Sequence, residues 1–152
     1  MKILVSACLL GIRCRYNGET KTNEAVMRLA QEHALIPFCP EIYGGLPTPR
    51  EPSEIRAGGV YTRTGEDVTL QYHIGAKEAL KAARIAGCMA AILQDRSPSC
   101  GVGLIHNGFF DGGLVPGDGI AAALLRENGI RVIRASEVPA ALDTLLKESG
   151  KS

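Results

Sequence analysis

Residues 74–94, IGAKEALKAARIAGCMAAILQ, join a helical pattern directly to a strand pattern. Residues 74–87 predict a helix that stops at Gly87, a residue type that commonly follows the last turn of a helix. Residues 88–94 are a short apolar run without alternation, as expected for a strand covered on both faces. A helix that leads into such a strand is typical of a parallel α/β sheet.

Similar patterns lie on both sides of this stretch. Thr22 or Asn23 is the expected N-cap of one helix and Asp118 that of another, since such side chains accept hydrogen bonds at helix starts. We therefore expect an α/β fold with a single domain over residues 1–152: a Rossmann-like, parallel or mostly parallel sheet with helices on both faces. Strands are predicted at residues 2–7, 34–39 and 130–135, and helices at residues 23–33, 117–129 and, from a Ser136 cap, toward 142–149.

Two segments interrupt this alternation. Residues 40–59 are rich in proline and glycine and predict a long loop, which in a compact domain is usually functional. A small β-hairpin insertion is predicted just after it, turning around residues 64–67. The second segment is residues 100–119, where Asn107 and Gly108 predict a tight hairpin turn. Both segments extend from the carboxyl ends of predicted strands.

Composition excludes several classes of protein. The chain has 152 residues, 45% of them hydrophobic, and a formal net charge of +1, which is ordinary for a globular domain. Charged residues are scattered, so we expect neither a nucleic-acid partner nor a membrane partner. The N-terminal apolar run is too short for a signal peptide and predicts a first strand. With five cysteines and no secretory signal, the chain is expected in the reducing cytoplasm, where metal binding or catalysis is commoner than disulfides.

Three cysteines follow three different predicted strands. Cys8 comes after the first strand, Cys39 closes the second, and Cys100 lies in the turn SPSCG after the third. Open α/β sheets bind ligands at this carboxyl edge, so we expect the three thiols to share a site. Cys88 opens a strand at the opposite edge and is assigned to the core. Cys14 is either a neighbour of the site or a spare thiol.

The spacing of the cysteines leaves the chemistry open. Structural zinc sites use paired cysteines such as C-x2-C, and Cys8 and Cys14 are six positions apart. A catalytic zinc ion with three thiolates would fit, and so would an iron–sulfur cluster in which one iron has no protein ligand. Cysteine catalysis is the third alternative. The residues alone indicate a thiolate metal site, a cluster site or a catalytic cysteine.

Several motifs carry a resemblance to a known family across nearly the whole chain. In order, they are VSACLLG, CRYNG, CPE, GGLPTPREP, GEDVT, GA, AILQDRSPSCG and GDGIAAALL. This set resembles the thiouracil desulfidase family, a small bacterial and archaeal family. Asn17 stands where aspartate is expected from that family, a departure that touches only the turn after Cys14.

The resemblance implies a cofactor and a reaction. It implies a [4Fe-4S] cluster on Cys8, Cys39 and Cys100, and non-redox desulfuration of a thiolated nucleobase such as 2-thiouracil, with release of sulfide. Glu41 of CPE and Ser97 of SPSC are the catalytic residues it implies. An iron without a protein ligand would polarise the thiocarbonyl group, Glu41 would activate water, and Ser97 would donate a hydrogen bond or relay a proton.

Other interpretations of these residues stay open at this stage. Without the family, Glu41 would be a surface or capping carboxylate and Ser97 a turn residue. The alternative function is a sulfur-binding or sulfur-delivery module that carries a cluster or metal without turnover. A small thiolated molecule is the expected partner, and the oligomeric state is left open. Tyr16, Arg50 and Glu54 lie in the site loops, where we expect an ion pair in preference to a role in orienting a planar ligand. His73 and His106 are expected at a helix start and on an exposed hairpin in preference to acting as metal ligands.

Overall fold

The computed structural model describes residues 1–140 and contains one four-stranded sheet and two small hairpins. The strands are β1 (Lys2–Ser6), β2 (Ala34–Phe38), β3 (Ser53–Arg56), β4 (Gly59–Thr62), β5 (Ala90–Leu93), β6 (Leu104–His106), β7 (Leu114–Pro116) and β8 (Arg131–Arg134). The α-helices are α1 (Glu24–Arg28), α2 (Pro40–Tyr43), α3 (Thr69–Ala86) and α4 (Ile120–Glu127), and short 3-10 helices lie at Ala7–Leu10, Leu29–Gln31 and Ala135–Glu137.

The main sheet is parallel throughout, in the order β2-β1-β5-β8. β1 is central and pairs with β2 on one side and with β5 on the other. Hairpins β3–β4 and β6–β7 are antiparallel and separate from this sheet. The predicted parallel α/β architecture is therefore confirmed.

Both faces of the sheet are buried, as the uninterrupted apolar strands predict. On one face, Leu4 and Ala91 pack with buried residues of α3 and α4. On the other face, Ile3 and Ile92 pack with Val26 of α1. Each fully buried aliphatic side chain of this kind contributes about 1.5–3 kcal/mol to folding. Helices on both faces are thus confirmed.

The helix boundaries predicted at Asn23 and Gly87 are confirmed, and the one predicted at Asp118 is wrong. Asn23 caps α1 by accepting a hydrogen bond from the Val26 N–H at 3.1 Å, and Gly87 ends α3 with φ of 77°. Asp118 is not the cap of α4, because the residue before that helix is Gly119. The Asp118 carboxylate instead accepts a hydrogen bond from the Gly103 N–H at 2.8 Å and ties the β6–β7 hairpin to α4.

The region predicted as loop and hairpin differs from the prediction. Residues 40–59 contain helix α2 and strand β3, and β3 pairs with β4 around a turn at residues 57–58. The chain does turn near residues 64–67, but the two sides of this turn are joined by a single isolated bridge, between Tyr61 and Asp67. Asp67 accepts a hydrogen bond from the Thr69 N–H at 2.9 Å, which starts α3 where a second strand was expected.

Two further predictions concern the segment after Cys100 and the end of the chain. Residues 100–119 do contain a hairpin, but its loop spans residues 107–113 and is longer than a tight Asn-Gly turn. The predicted last helix at residues 142–149 lies outside the described residues. Within residues 1–140, no helix combines the length and the hydrophobicity that a membrane span requires.

A close approach of α2 and α3 fixes the segment that follows β2. A Cβ atom added at Gly75 of α3 would lie 1.9 Å from the Pro40 carbonyl oxygen, and one added at Gly44 would lie 2.0 Å from the Gln71 carbonyl oxygen. Only glycine therefore lets the backbones come this close. The contact sets the position of Cys39 and Glu41, which flank Pro40.

We expect the substitution Gly75→Ala to lower the free energy of unfolding by about 1–3 kcal/mol, because α2 must move away from α3. The effect opposes the intrinsic preference of helices for alanine over glycine, which is about 1 kcal/mol. Chemical denaturation of the variant measures it. Lys77→Ala, on the exposed side of the same helix, is the control and should change stability little. A Gly75→Ala protein as stable as the parent would contradict this account of the contact.

Candidate active site

A cavity of about 340 Å³ opens at the carboxyl edge of the main sheet and is lined by four of the five cysteines. Cys8 lies in the 3-10 helix after β1, Cys39 directly precedes α2, and Cys100 lies in the turn after β5. The structure thus brings the three predicted thiols to one cavity. Cys14 lines it too and is a neighbour of the site, whereas Cys88 is buried in the core between the sheet, α3 and α4, as predicted.

Short local hydrogen bonds hold the cysteine turns. Ser97 Oγ accepts hydrogen bonds from the Cys100 N–H at 2.6 Å and the Ser99 N–H at 3.2 Å. Ser97 therefore has the turn-forming role that its place before Pro98 suggests, and it also lines the cavity. The Cys8 carbonyl accepts a hydrogen bond from the Lys21 N–H at 2.9 Å, which holds the segment around Lys21 against the Cys8 turn.

Cys14, Cys39 and Cys100 have raised pKa values in this environment. Burial and the nearby Glu41 raise the pKa of Cys100 to about 12. A hydrogen bond with Cys39 lowers the pKa of Cys14, but a hydrogen bond with Cys8, together with burial, raises it more, to about 11. The hydrogen bond with Cys14, and then burial, raise the pKa of Cys39. A metal group that binds Cys39 and Cys100 must displace a proton from each of these thiols.

The arrangement of the thiols fits a multinuclear metal group. Within residues 1–140, no three His, Cys, Asp or Glu side chains converge closely enough to hold a single metal ion. A cluster binds each thiolate at a different metal atom, so it can take thiols from separate segments that line one cavity. Thiolates are also the usual protein ligands of iron–sulfur clusters. The thiol donor set therefore fits an iron–sulfur cluster.

A buried ion pair crosses the cavity wall. Arg50 Nη2 donates hydrogen bonds to the Glu41 carboxylate and, at 2.9 Å, to the Cys14 carbonyl. The side chains of Arg50 and Glu41 are 6% and 16% exposed, so Glu41 is not a surface carboxylate. Burial lowers the pKa of Arg50, but the adjacent Glu41 outweighs it and the pKa lies above its ordinary value. The expected ion pair between Arg50 and Glu54 is therefore wrong, because Arg50 pairs with Glu41 instead.

Glu54 has a different partner from the one expected. Its buried carboxylate accepts hydrogen bonds from the Gly108 N–H at 2.9 Å and the Phe110 N–H at 3.2 Å. It thereby binds the β6–β7 loop to β3. Phe110 lines the cavity with φ of 55°, a conformation that costs a non-glycine residue about 1–3 kcal/mol.

Several cavity residues escaped the sequence analysis. His106 was expected to be exposed, but it is half-buried and lines the cavity, and its Nδ1 has no hydrogen-bond partner within residues 1–140. His73 lies exposed on α3 and does not line the cavity, whereas the adjacent Tyr72 does. Burial raises the pKa of Tyr72. His106 and Phe110 could have been suspected from the glycine-rich segment after Cys100, but Tyr72 could not, because its helix was predicted to start later.

Comparisons with known proteins identify relatives of this chain. Residues 3–137 match the 2-thiouracil desulfurase family. The uncharacterized protein YbbK of Bacillus subtilis (strain 168) is 44% identical over 146 residues, covering 90% of this chain and 97% of YbbK. A solved structure described as the [4Fe-4S]-dependent thiouracil desulfidase TudS is 43% identical with a TM-score of 0.88, covering 97% of this chain and 98% of TudS.

We expect Arg50→Ala to destabilise the metal-free protein by about 3 kcal/mol, because Glu41 would be left buried without its cation. Arg134→Ala is the matched control, since it removes an exposed ion pair with Glu137 and should cost less than about 1 kcal/mol. Denaturant unfolding of both variants makes the comparison. Equal losses of stability in the two variants would show that the Arg50–Glu41 pair is not a buried interaction of this strength.

Proposed function

Because the chain belongs to the 2-thiouracil desulfurase family, we propose that it is a desulfidase acting on a thiolated nucleobase such as 2-thiouracil. In the proposed reaction, water replaces the sulfur of the thiocarbonyl group, so that 2-thiouracil and water yield uracil and hydrogen sulfide without any change in redox state. The observation that carries the proposal is the cavity itself, in which four thiols and the buried carboxylate of Glu41 line the same space.

We infer that Cys8, Cys39 and Cys100 hold a [4Fe-4S] cluster in this cavity. They come from three separate segments at one sheet edge, and the likeness to TudS, whose description includes such a cluster, supports this cofactor. When bound, the cluster supplies an iron atom without a protein ligand, which acts as a Lewis acid toward the thiocarbonyl sulfur. Cys14 then remains as a thiol beside the cluster and is not assigned as a ligand.

Glu41 is the residue we assign as the general base. Arg50 binds its Oε2, while no donor among residues 1–140 binds Oε1. Oε1 can therefore accept a proton from a water molecule placed between the carboxylate and the substrate carbon. The guanidinium group of Arg50 orients this carboxylate. A general base needs such a fixed orientation to act on a bound substrate.

Ser97 is assigned as a hydrogen-bond donor to the substrate. Its Oγ already accepts two backbone N–H groups, from Ser99 and Cys100, which occupies its acceptor capacity. The hydroxyl proton is left to donate toward the cavity. This favours donation over a proton relay, because a relay also needs an acceptor lone pair.

Turnover separates this proposal from the alternative of a sulfur-binding or sulfur-delivery module. Anaerobically reconstituted protein is incubated with 2-thiouracil in large excess, and both sulfide and uracil are quantified. We expect many molecules of sulfide and uracil per protein molecule. Release limited to one equivalent, or sulfide without uracil, would contradict catalysis and support sulfur binding or delivery.

We expect Cys8→Ser, Cys39→Ser and Cys100→Ser each to abolish or strongly reduce cluster content, because each removes a thiolate ligand. Iron and acid-labile sulfide, assayed after identical anaerobic reconstitution, give the result. Cys88→Ser is the matched control, since that cysteine is buried in the core away from the cavity, and its cluster content should equal that of the parent. Full cluster content in any of the three variants would remove that cysteine from the ligand set.

We expect Glu41→Gln to bind its cluster normally but to release sulfide about 10²- to 10⁴-fold more slowly, the usual cost of losing general acid–base catalysis. Glutamine keeps the size of the side chain and one hydrogen-bond acceptor for Arg50. Rates are normalised to iron content, and Glu137→Gln, on the surface, is the control. Unchanged turnover would eliminate Glu41 as the base, and loss of the cluster would make it a structural residue instead.

A further inference from the structure

The cavity wall at Phe110 is built in a conformation that phenylalanine disfavours. Phe110 has φ of 55°, in the left-handed region that glycine adopts without strain. Glycines are abundant in the same loop, which runs Asn107-Gly108-Phe109-Phe110-Asp111-Gly112-Gly113. The backbone conformation therefore does not account for a phenylalanine at this position, because glycine would adopt it with less strain.

Buried Glu54 enforces this conformation. Its carboxylate accepts both the Gly108 and the Phe110 N–H groups, and a Cβ atom added at Gly108 would lie 2.7 Å from the Ile55 carbonyl oxygen. The loop is thus held tightly against β3. By binding these two backbone N–H groups, the buried Glu54 carboxylate positions the loop and, with it, Phe110.

The two phenylalanines of this loop differ in their relation to the cavity. Phe110 lines the cavity, and the Arg63 guanidinium group lies over its ring, 5.6 Å from the centroid. The neighbouring Phe109 is 66% exposed and does not line the cavity. Of these two adjacent phenylalanines, Phe110 is therefore the one placed to contact a ligand in the cavity.

We infer that Phe110 is a specificity-determining residue whose ring stacks on the planar base of the substrate. A flat, unsaturated pyrimidine ring presents a π-face to an aromatic side chain, whereas a saturated, puckered ring cannot stack in the same way. The inference rests on the proposed function for the identity of the substrate. It adds that this site selects planar thiolated rings, with Glu54 as the positioning residue for the selecting side chain.

The test compares 2-thiouracil with 5,6-dihydro-2-thiouracil, which has the same polar groups on a puckered ring. We expect Phe110→Ala to raise KM for 2-thiouracil by about five- to 100-fold, the usual range for losing one base–aromatic stack, with kcat much less affected. The preference for the planar substrate should shrink correspondingly. Phe109→Ala is the matched control and should leave both parameters unchanged, and Phe110→Trp should retain the preference.

A second pair of variants separates the ring from the backbone. Phe110→Gly removes the ring and also relieves the positive φ, so it should be at least as stable to denaturant as Phe110→Ala while losing the same substrate affinity. If Phe110 only supported the loop, affinity would follow stability, and the glycine variant would bind better than the alanine variant. That outcome would overturn the inference.

Binding of uracil tests the role of Phe110 without requiring turnover. Calorimetry should show weaker binding of uracil to Phe110→Ala than to the parent, by the same factor as the rise in KM. Failure of the parent to release sulfide from any thiolated base would refute the proposed function, whereas the uracil comparison would still judge the role of Phe110. Equal uracil affinity in the parent and Phe110→Ala, or no binding to either, would overturn the inference.

Discussion

The parallel pairing of β1 with both of its neighbours determines where every other part of the site can lie. Ser6 at the end of β1 is in register with Phe38 of β2, and Val5 is in register with Ile92 of β5. Three strand ends therefore meet at one edge, and the chain leaves each of them through a turn that carries a cysteine. An antiparallel neighbour would have sent one of these turns to the opposite edge, so the shared cavity depends on this topology.

The loops beyond the sheet are then joined to one another by polar groups that the protein supplies from its own interior. Arg50 connects the Cys14 turn to Glu41 on α2, and Glu54 connects β3 to the loop of Phe110. Each connection leaves its loop little freedom. Sites held in this way can meet a substrate with their groups already oriented, which is how an enzyme lowers the cost of reaching the transition state.

Several features of the site cost stability, and their concentration at one cavity is consistent with function. Arg50 and Glu41 are removed from water, Phe110 has a positive φ, and α2 approaches α3 at a distance that excludes any side chain at Gly75. The core on both sides of the sheet, by contrast, is simple aliphatic packing. Stability comes from that core, and it supports a cavity whose wall is locally unfavourable.

The local part of this structure could be predicted from the sequence. Apolar runs identified β1, β2, β5 and β8, Gly87 marked the end of α3, and the cysteine turns after three strands indicated a shared edge. These features depend on periodicity and on residues close together in the chain. The family motifs added Glu41 and Ser97 as candidate catalytic residues, whose roles stay predictions.

Only the tertiary structure decided which distant groups meet. The partner of Arg50 is Glu41 and not Glu54, His106 and Tyr72 line the cavity, and Cys14 joins the other thiols. The β3–β4 pairing was missed because residues 53–56 were assigned to a loop, and Asp67 was expected in a hairpin turn although it begins α3. Such pairings depend on how segments far apart in the chain pack in space, and no local pattern of residues encodes that choice.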